Sequence, residues 1–198
     1  MKKFVITLIV LIFSISTFAQ RDETLLGDRL SFGGYGGPVV QITQIGGETG
    51  VMVGGKGGWI IKQKDYSIII GGGGYGLVNN IRADIFTEEL YYNLGYGGLI
   101  FEFVSKPHKL RHHSFSLLIG GGGLSFREKG DFGDNFDDDA DAFFILEPGI
   151  NYVVNITRFF RVGLGLSYRM ISGLNKFDVK NEDLSGVSGV IEFKFGSF

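Results

Sequence analysis

Cysteine is absent from this chain, which excludes disulfide staples, thiolate catalysis and cysteine-ligated metal. Proline is scarce at three residues, so the abundant glycine cannot be read as collagen or as a proline-rich linker. Charge of one sign is lacking too. Nineteen basic against 21 acidic side chains give a net −2, which supplies no argument for a nucleic-acid partner. Helical periodicity is almost missing, and the one long apolar run is confined to the first residues.

That run has a recognisable form. Met1-Lys2-Lys3 precede an apolar stretch from Phe4 to Ile15, followed by the small residues Thr17 and Ala19. It is shorter than the roughly 20 residues a spanning helix needs and matches a secretory signal peptide. We expect cleavage after Ala19. No cysteine follows, so a lipoprotein anchor is excluded, and about 180 residues remain for one domain.

What the chain has is glycine, 33 residues, and aromatic side chains, 14%. They fall in eight apolar-aromatic runs at 30–45, 50–63, 66–79, 91–104, 113–127, 142–155, 159–171 and 186–196, separated by turn residues. This spacing predicts an all-β barrel or sandwich. The later runs alternate cleanly. Phe160, Val162, Leu164, Leu166, Tyr168 and Met170 share one face, and Arg161, Gly163, Gly165, Ser167 and Arg169 the other. Phe144, Leu146, Pro148, Ile150, Tyr152 and Val154 oppose Glu147, Gly149 and Asn151; Ile191, Phe193 and Phe195 oppose Glu192 and Lys194. A soluble barrel needs bulk inside. Here the continuous bulky face fits lipid, and the face of glycine and charge fits a narrow polar lumen. The expected fold is an eight-stranded antiparallel up-and-down transmembrane β-barrel, preceded by signal peptide 1–19 and a short periplasmic segment 20–29, with the barrel at 30–198.

The links agree with that reading. Those between runs two and three and between six and seven are very short, whereas 79–90, 128–141 and 172–185 are long and charged. In an outer-membrane barrel with both termini in the periplasm, the long links face outward. Glycines inside runs one to five, such as Gly71 to Gly74, are expected where inward bulk would crowd the lumen. In the fourth run Tyr92, Leu94 and Tyr96 share a parity that Leu99, Phe101 and Phe103 abandon, which predicts a bulge at Gly97-Gly98. Gly163→Ala is expected to be mild unless a large lumen side chain packs on it.

With its signal peptide, amphipathic strands, alternating links and terminal GVIEFKFGSF, the chain resembles the small Gram-negative outer-membrane β-barrels of the outer-membrane protein X and outer-membrane protein A membrane-domain type. The resemblance is architectural. It implies insertion by the barrel-assembly machinery, which reads a terminal aromatic signal, here Phe193, Phe195 and Phe198, with Phe198 out of phase with the other two. It also implies a monomer in outer-membrane lipid, with no cofactor.

Other chemistry is weakly signalled. G-x-G-x-x-G matches lack a following helix and are not nucleotide sites. His108, His112 and His113 in KPHKLRHHS read as a solvated basic turn, with no carboxylate beside them. Asp131, Asp134, Asp137, Asp138, Asp139 and Asp141 lack EF-hand spacing and read as a charged loop gathering divalent ions weakly. A lipid hydrolase would need serine, histidine and carboxylate near the outer leaflet, whereas Ser116 and the histidines fall at the periplasmic end. No catalytic or metal residue is assigned. The lumen charges are Lys56, Glu102, Glu147, Arg161, Arg169, Glu192 and Lys194. Buried charges must pair, so at least one of Glu102, Glu147 and Glu192 is expected to meet Arg161 or Arg169. A structural or surface-interaction protein with a plugged lumen follows. The alternatives are a narrow channel for ions or small solutes, and an exported soluble barrel binding an apolar ligand.

Overall fold

The computed structural model describes residues 31–83, 89–127 and 140–198. The proposed signal peptide and most of the acidic loop therefore lie outside the described residues. Eight strands form: β1 (Ser31–Ile45), β2 (Glu48–Lys62), β3 (Tyr66–Leu77), β4 (Tyr91–Ser105), β5 (Arg111–Arg127), β6 (Asp141–Asn155), β7 (Phe160–Ser172) and β8 (Gly186–Ser197). A four-residue helix, α1 (Asn181–Leu184), lies in the last link. Each strand pairs antiparallel with its sequence neighbours, and β1 pairs with β8 to close the barrel.

Closure fixes the stagger. Following directly paired residues around the sheet leads from Gly33 through Ile60, Ile69, Glu102, Ser116, Gly149, Ser167 and Ser188 to Thr43. The circuit thus returns to β1 ten residues from its start. A stagger of that size goes with strands tilted by roughly 35–45°, and eight strands leave a lumen just wide enough for side chains to fill.

Short connections mark one end, the turn end, where β1 begins and β8 finishes. Gln63 N–H donates to the Tyr66 carbonyl (2.9 Å) in the β2–β3 turn, and the Thr157 hydroxyl accepts from Phe159 and Phe160 N–H in the β6–β7 turn. The opposite, loop end carries the long links. Its exception is the β1–β2 hairpin, where Gly46 and Gly47 both take positive φ (58° and 84°). That is the two-residue geometry matched to strand twist, and it starts β2 two residues earlier than the sequence pattern suggests.

The expected bulge at Gly97-Gly98 is absent. β4 keeps one register with β3 and with β5 throughout, with Gly73 opposite Gly98 and Gly74 opposite Gly97. Tyr92, Leu94 and Tyr96 are instead buried inside the barrel, while Leu99, Phe101 and Phe103 stand outside. Bulk on one parity is thus no guarantee of outward facing, because the loop-end half of the lumen has an aromatic and aliphatic core of its own.

The mid-strand glycines divide by face. An added Cβ on inward Gly71 would stand 2.8 Å from the Gly57 carbonyl carbon, and one on Gly98 2.6 Å from Gly120 Cα. Outward Gly55 has its nearest neighbour at 3.5 Å, and outward Gly76 has none within 4 Å. At these four positions inward glycine is required where tilted backbones close on one another and outward glycine is not. Outward Gly57 and Gly97 differ, since an added Cβ there would stand 2.7 Å from the Tyr35 carbonyl oxygen and 2.8 Å from that of Gly73. Gly71→Ala and Gly98→Ala should each cost about 1–3 kcal/mol through overpacking. Gly55→Ala and Gly76→Ala should stay within about 0.5 kcal/mol. Denaturant unfolding of the four variants checks this, and equal losses on both faces would contradict the division.

Candidate functional site in the barrel lumen

Inward side chains fill the lumen in layers. Nearest the turn end is a ring of four charges from β2, β4 and β8. Lys56 Nζ contacts Glu192 Oε2, and Lys194 Nζ contacts Glu102 Oε1. The ring is completed by Lys194 to Glu192 Oε1 (3.0 Å) and Lys56 to Glu102 Oε2 (4.0 Å). Two cations and two anions alternate, so the ring is neutral as a whole. Tyr35 donates its hydroxyl to Glu102 Oε2 (3.1 Å), and its ring lies 5.0 Å from Lys194 Nζ.

Glycine makes the ring possible. Lys56 is flanked in register by Gly37 and Gly73, and Glu192 by Gly163. An added Cβ on Gly163 would lie 2.6 Å from Glu192 Cγ, so the mild substitution expected there becomes a costly one.

Glu147 on β6 occupies the next layer. Its Oε1 accepts from Gln41 Nε2 (2.9 Å) and from the Ser167 hydroxyl (2.6 Å). The Tyr96 hydroxyl lies 2.9 Å from Glu147 Oε2 and 3.0 Å from Gln41 Oε1, and donates to one of them at a time. Hydroxyls and an amide, with no cation in reach among the described residues, solvate this buried carboxylate.

At the loop end the lumen turns apolar. Ile45, Met52, Leu77, Ile81, Tyr92, Leu94, Leu124, Phe143 and Ile145 form a closed core with Leu184 of α1. Arg169, with no exposed surface, runs through it. Its Nε donates to the Leu184 carbonyl (2.7 Å) and its Nη2 to Thr43 Oγ1 (3.3 Å) and the Gln44 carbonyl (3.2 Å). Its Nη1 lies 3.3 Å from Met52 Sδ.

The expected arginine–carboxylate pair does not form. Arg169 is satisfied by carbonyls and a hydroxyl, and Arg161 at the turn end lays its guanidinium 3.8 Å over the Phe198 ring. Lysines take both ring carboxylates instead. Counting along adjacent strands missed this, because the ring joins β4 to β8, which face one another across the lumen. Register sets Lys56 between two glycines, Gly37 and Gly73, and only the strand pairing shows it. Gln41, Tyr35, Tyr96 and Ser167, which hold the carboxylates, were not singled out from sequence.

Of the histidine candidates, His108 and His112 line one cavity at the turn end and His113 stands outside it. His113 packs on Tyr152, His108 Nδ1 lies 3.1 Å from the Lys64 carbonyl, and His112 Nδ1 lies 3.3 Å from the Lys109 carbonyl. No cluster able to hold a metal occurs among the described residues. Asp131, Asp134, Asp137, Asp138 and Asp139 lie outside them. Asp141 Oδ2 accepts the backbone N–H groups of Asn175 (2.7 Å) and Lys176 (2.8 Å), tying β6 to the last link.

These features define a small, closed, side-chain-filled β-barrel. No family model matches the chain, and no curated protein matches it in sequence. Among solved structures it is similar to Neisserial surface protein A, with a TM-score of 0.54 and 12% identity over 86% of this chain and all of that one. The attachment invasion locus protein Ail of Yersinia pestis aligns at 0.48 and 12% identity, over 83% of this chain and 97% of that one. The fold is that of the eight-stranded outer-membrane barrels.

The ring gives a direct expectation. Glu102→Leu alone strands Lys194 and should cost about 3–5 kcal/mol. Glu102→Leu combined with Lys194→Met leaves the Lys56–Glu192 pair intact and should recover much of that loss. Urea titrations of both variants measure the coupling, and a double variant as unstable as the sum of its singles would refute the ring.

Proposed function

We propose that this chain is an integral outer-membrane barrel of structural or surface-interaction type, whose lumen is plugged and whose contacts with the outside are made by the links of the loop end. One observation carries the reading. Large apolar side chains stand outward around the closed sheet, among them Ile42, Trp59, Ile70, Leu99, Phe101, Phe115, Ile150, Leu164, Leu166, Tyr168 and Val187. Water would penalise so continuous a belt, and a bilayer accommodates it. Toward the turn end Phe32, Trp59, Phe103, Phe159 and Phe195 are exposed, which suits an aromatic girdle at a membrane interface.

The turn end then faces the periplasm and the loop end the outside, consistent with export through the segment 1–19. Lipid is the principal partner and the barrel acts as a monomer. Of the proposed assembly signal, Phe195 stands outward and Phe193 stacks on Phe160, whereas Phe198 turns inward against Tyr35. Phe195 is therefore the residue best placed for recognition by the assembly machinery. The packed apolar core beneath the loop end weighs against a through-channel and against an interior holding an apolar ligand.

Leu164→Arg, at mid-height of β7, should cost about 2–4 kcal/mol in lipid vesicles. The wild-type protein should fractionate with the outer membrane and show no steady conductance steps in planar bilayers. Recovery in the soluble periplasmic fraction without detergent overturns the membrane reading, and stable conductance steps overturn the plug.

A further inference from the structure

Below the charge ring, the turn end holds a cavity of about 230 Å³ that opens toward the turns. Its charged side chains are all of one sign, Lys62, Lys64, Arg161 and Lys194, beside the imidazoles of His108 and His112, with no Asp or Glu side chain among the lining residues. Lys194 is engaged in the neutral ring above, so the ring contributes no excess negative charge to offset the others. Phe198 supplies its ring.

Arg161, a residue of this wall, makes no hydrogen bond or ion pair among the described residues; its guanidinium lies on the Phe198 ring alone. Stacking on Phe198 fixes the plane of the Arg161 guanidinium, which reduces the freedom lost when it binds an oxyanion through its edge. The rim is also braced, since His108 from the β4–β5 link lies against the Lys64 carbonyl of the β2–β3 turn. The volume is nearly eight times the roughly 30 Å³ that one water takes up in the liquid, enough for a phosphate group with a short organic tail.

We propose that this cavity is a binding site for a phosphate monoester or diester. The anion accepts from the terminal N–H groups of Arg161, with Lys62 and Lys64 supplying charge at the rim. The phosphate comes either from a soluble phosphorylated solute or from the headgroup of an anionic phospholipid in the facing leaflet. The site does not require the barrel to conduct, and its solute arm can be measured in detergent whatever the cellular location.

The test uses the full chain purified in a phosphate-free detergent and titrated calorimetrically with glycerol 3-phosphate. A parallel titration in the same detergent uses short-chain phosphatidylglycerol. Saturable binding of glycerol 3-phosphate identifies a free solute, and saturable binding of phosphatidylglycerol alone identifies a headgroup. In either case Arg161→Gln should weaken binding at least tenfold and Lys64→Gln about threefold. Lys176→Gln, exposed at the loop end, should leave it unchanged. Circular dichroism and unboiled gel mobility confirm that each variant is folded. Absence of saturable binding in both arms, or affinity equal to wild type in folded Arg161→Gln, overturns the proposal.

Discussion

The closure of eight strands at a ten-residue stagger is the constraint on which the rest of the structure depends. It tilts the strands and brings opposite walls close enough for side chains from β4 and β8 to touch. Where tilted backbones converge, a Cβ on the concave side has nowhere to go, and the chain answers with glycine at Gly71 and Gly98. Gly73 and Gly163 leave the room that the side chains of Lys56 and Glu192 occupy. Glycine and buried charge are therefore two consequences of one geometry.

Within that tube, polarity changes along the axis. A buried ion is tolerable only when its partners replace the water it has lost. The four-charge ring does so by alternation of sign, and Glu147 by three neutral donors. Beyond Glu147 the filling becomes hydrocarbon, and the last link is drawn in through Leu184. Arg169 is the rivet: it reaches from β7 to the end of α1 and to the end of β1, so the loop end is shut by backbone acceptors rather than by side chains alone.

Strand positions were legible in the sequence to within about three residues, because turn residues and period-two alternation report directly on a sheet with two unlike faces. Facing was legible in β6, β7 and β8, where glycine and charge keep to one parity, although Phe143, Ile145, Ile171 and Val190 share that inward parity. It misled in β4. Tyr92, Leu94 and Tyr96 are as bulky as any lipid-facing residue, yet they fill the loop-end lumen. Bulk alone cannot separate an apolar interior from an apolar exterior. The membership of the charge ring was visible as parity but its pairing was not. Pairing across a lumen depends on stagger, which no single strand encodes.

The choice of cation in each place follows from the shape of what surrounds it. The ring sits where glycines leave a narrow gap between facing carboxylates, and a compact ammonium on a flexible stem can lie between two of them at once, as Lys56 and Lys194 do. A planar guanidinium would demand one coplanar carboxylate and could not bridge two so readily. Arg169 faces the reverse problem, with acceptors scattered over β1 and the end of α1. Its five N–H groups fan out to carbonyls and a hydroxyl that one ammonium could not span. Arg161 uses the third property of the group, its flat face, which lies on Phe198. The division of lysine to the ring and arginine to its two ends is thus set by acceptor geometry, and exchanging the two residue types would fail at each site for a different reason.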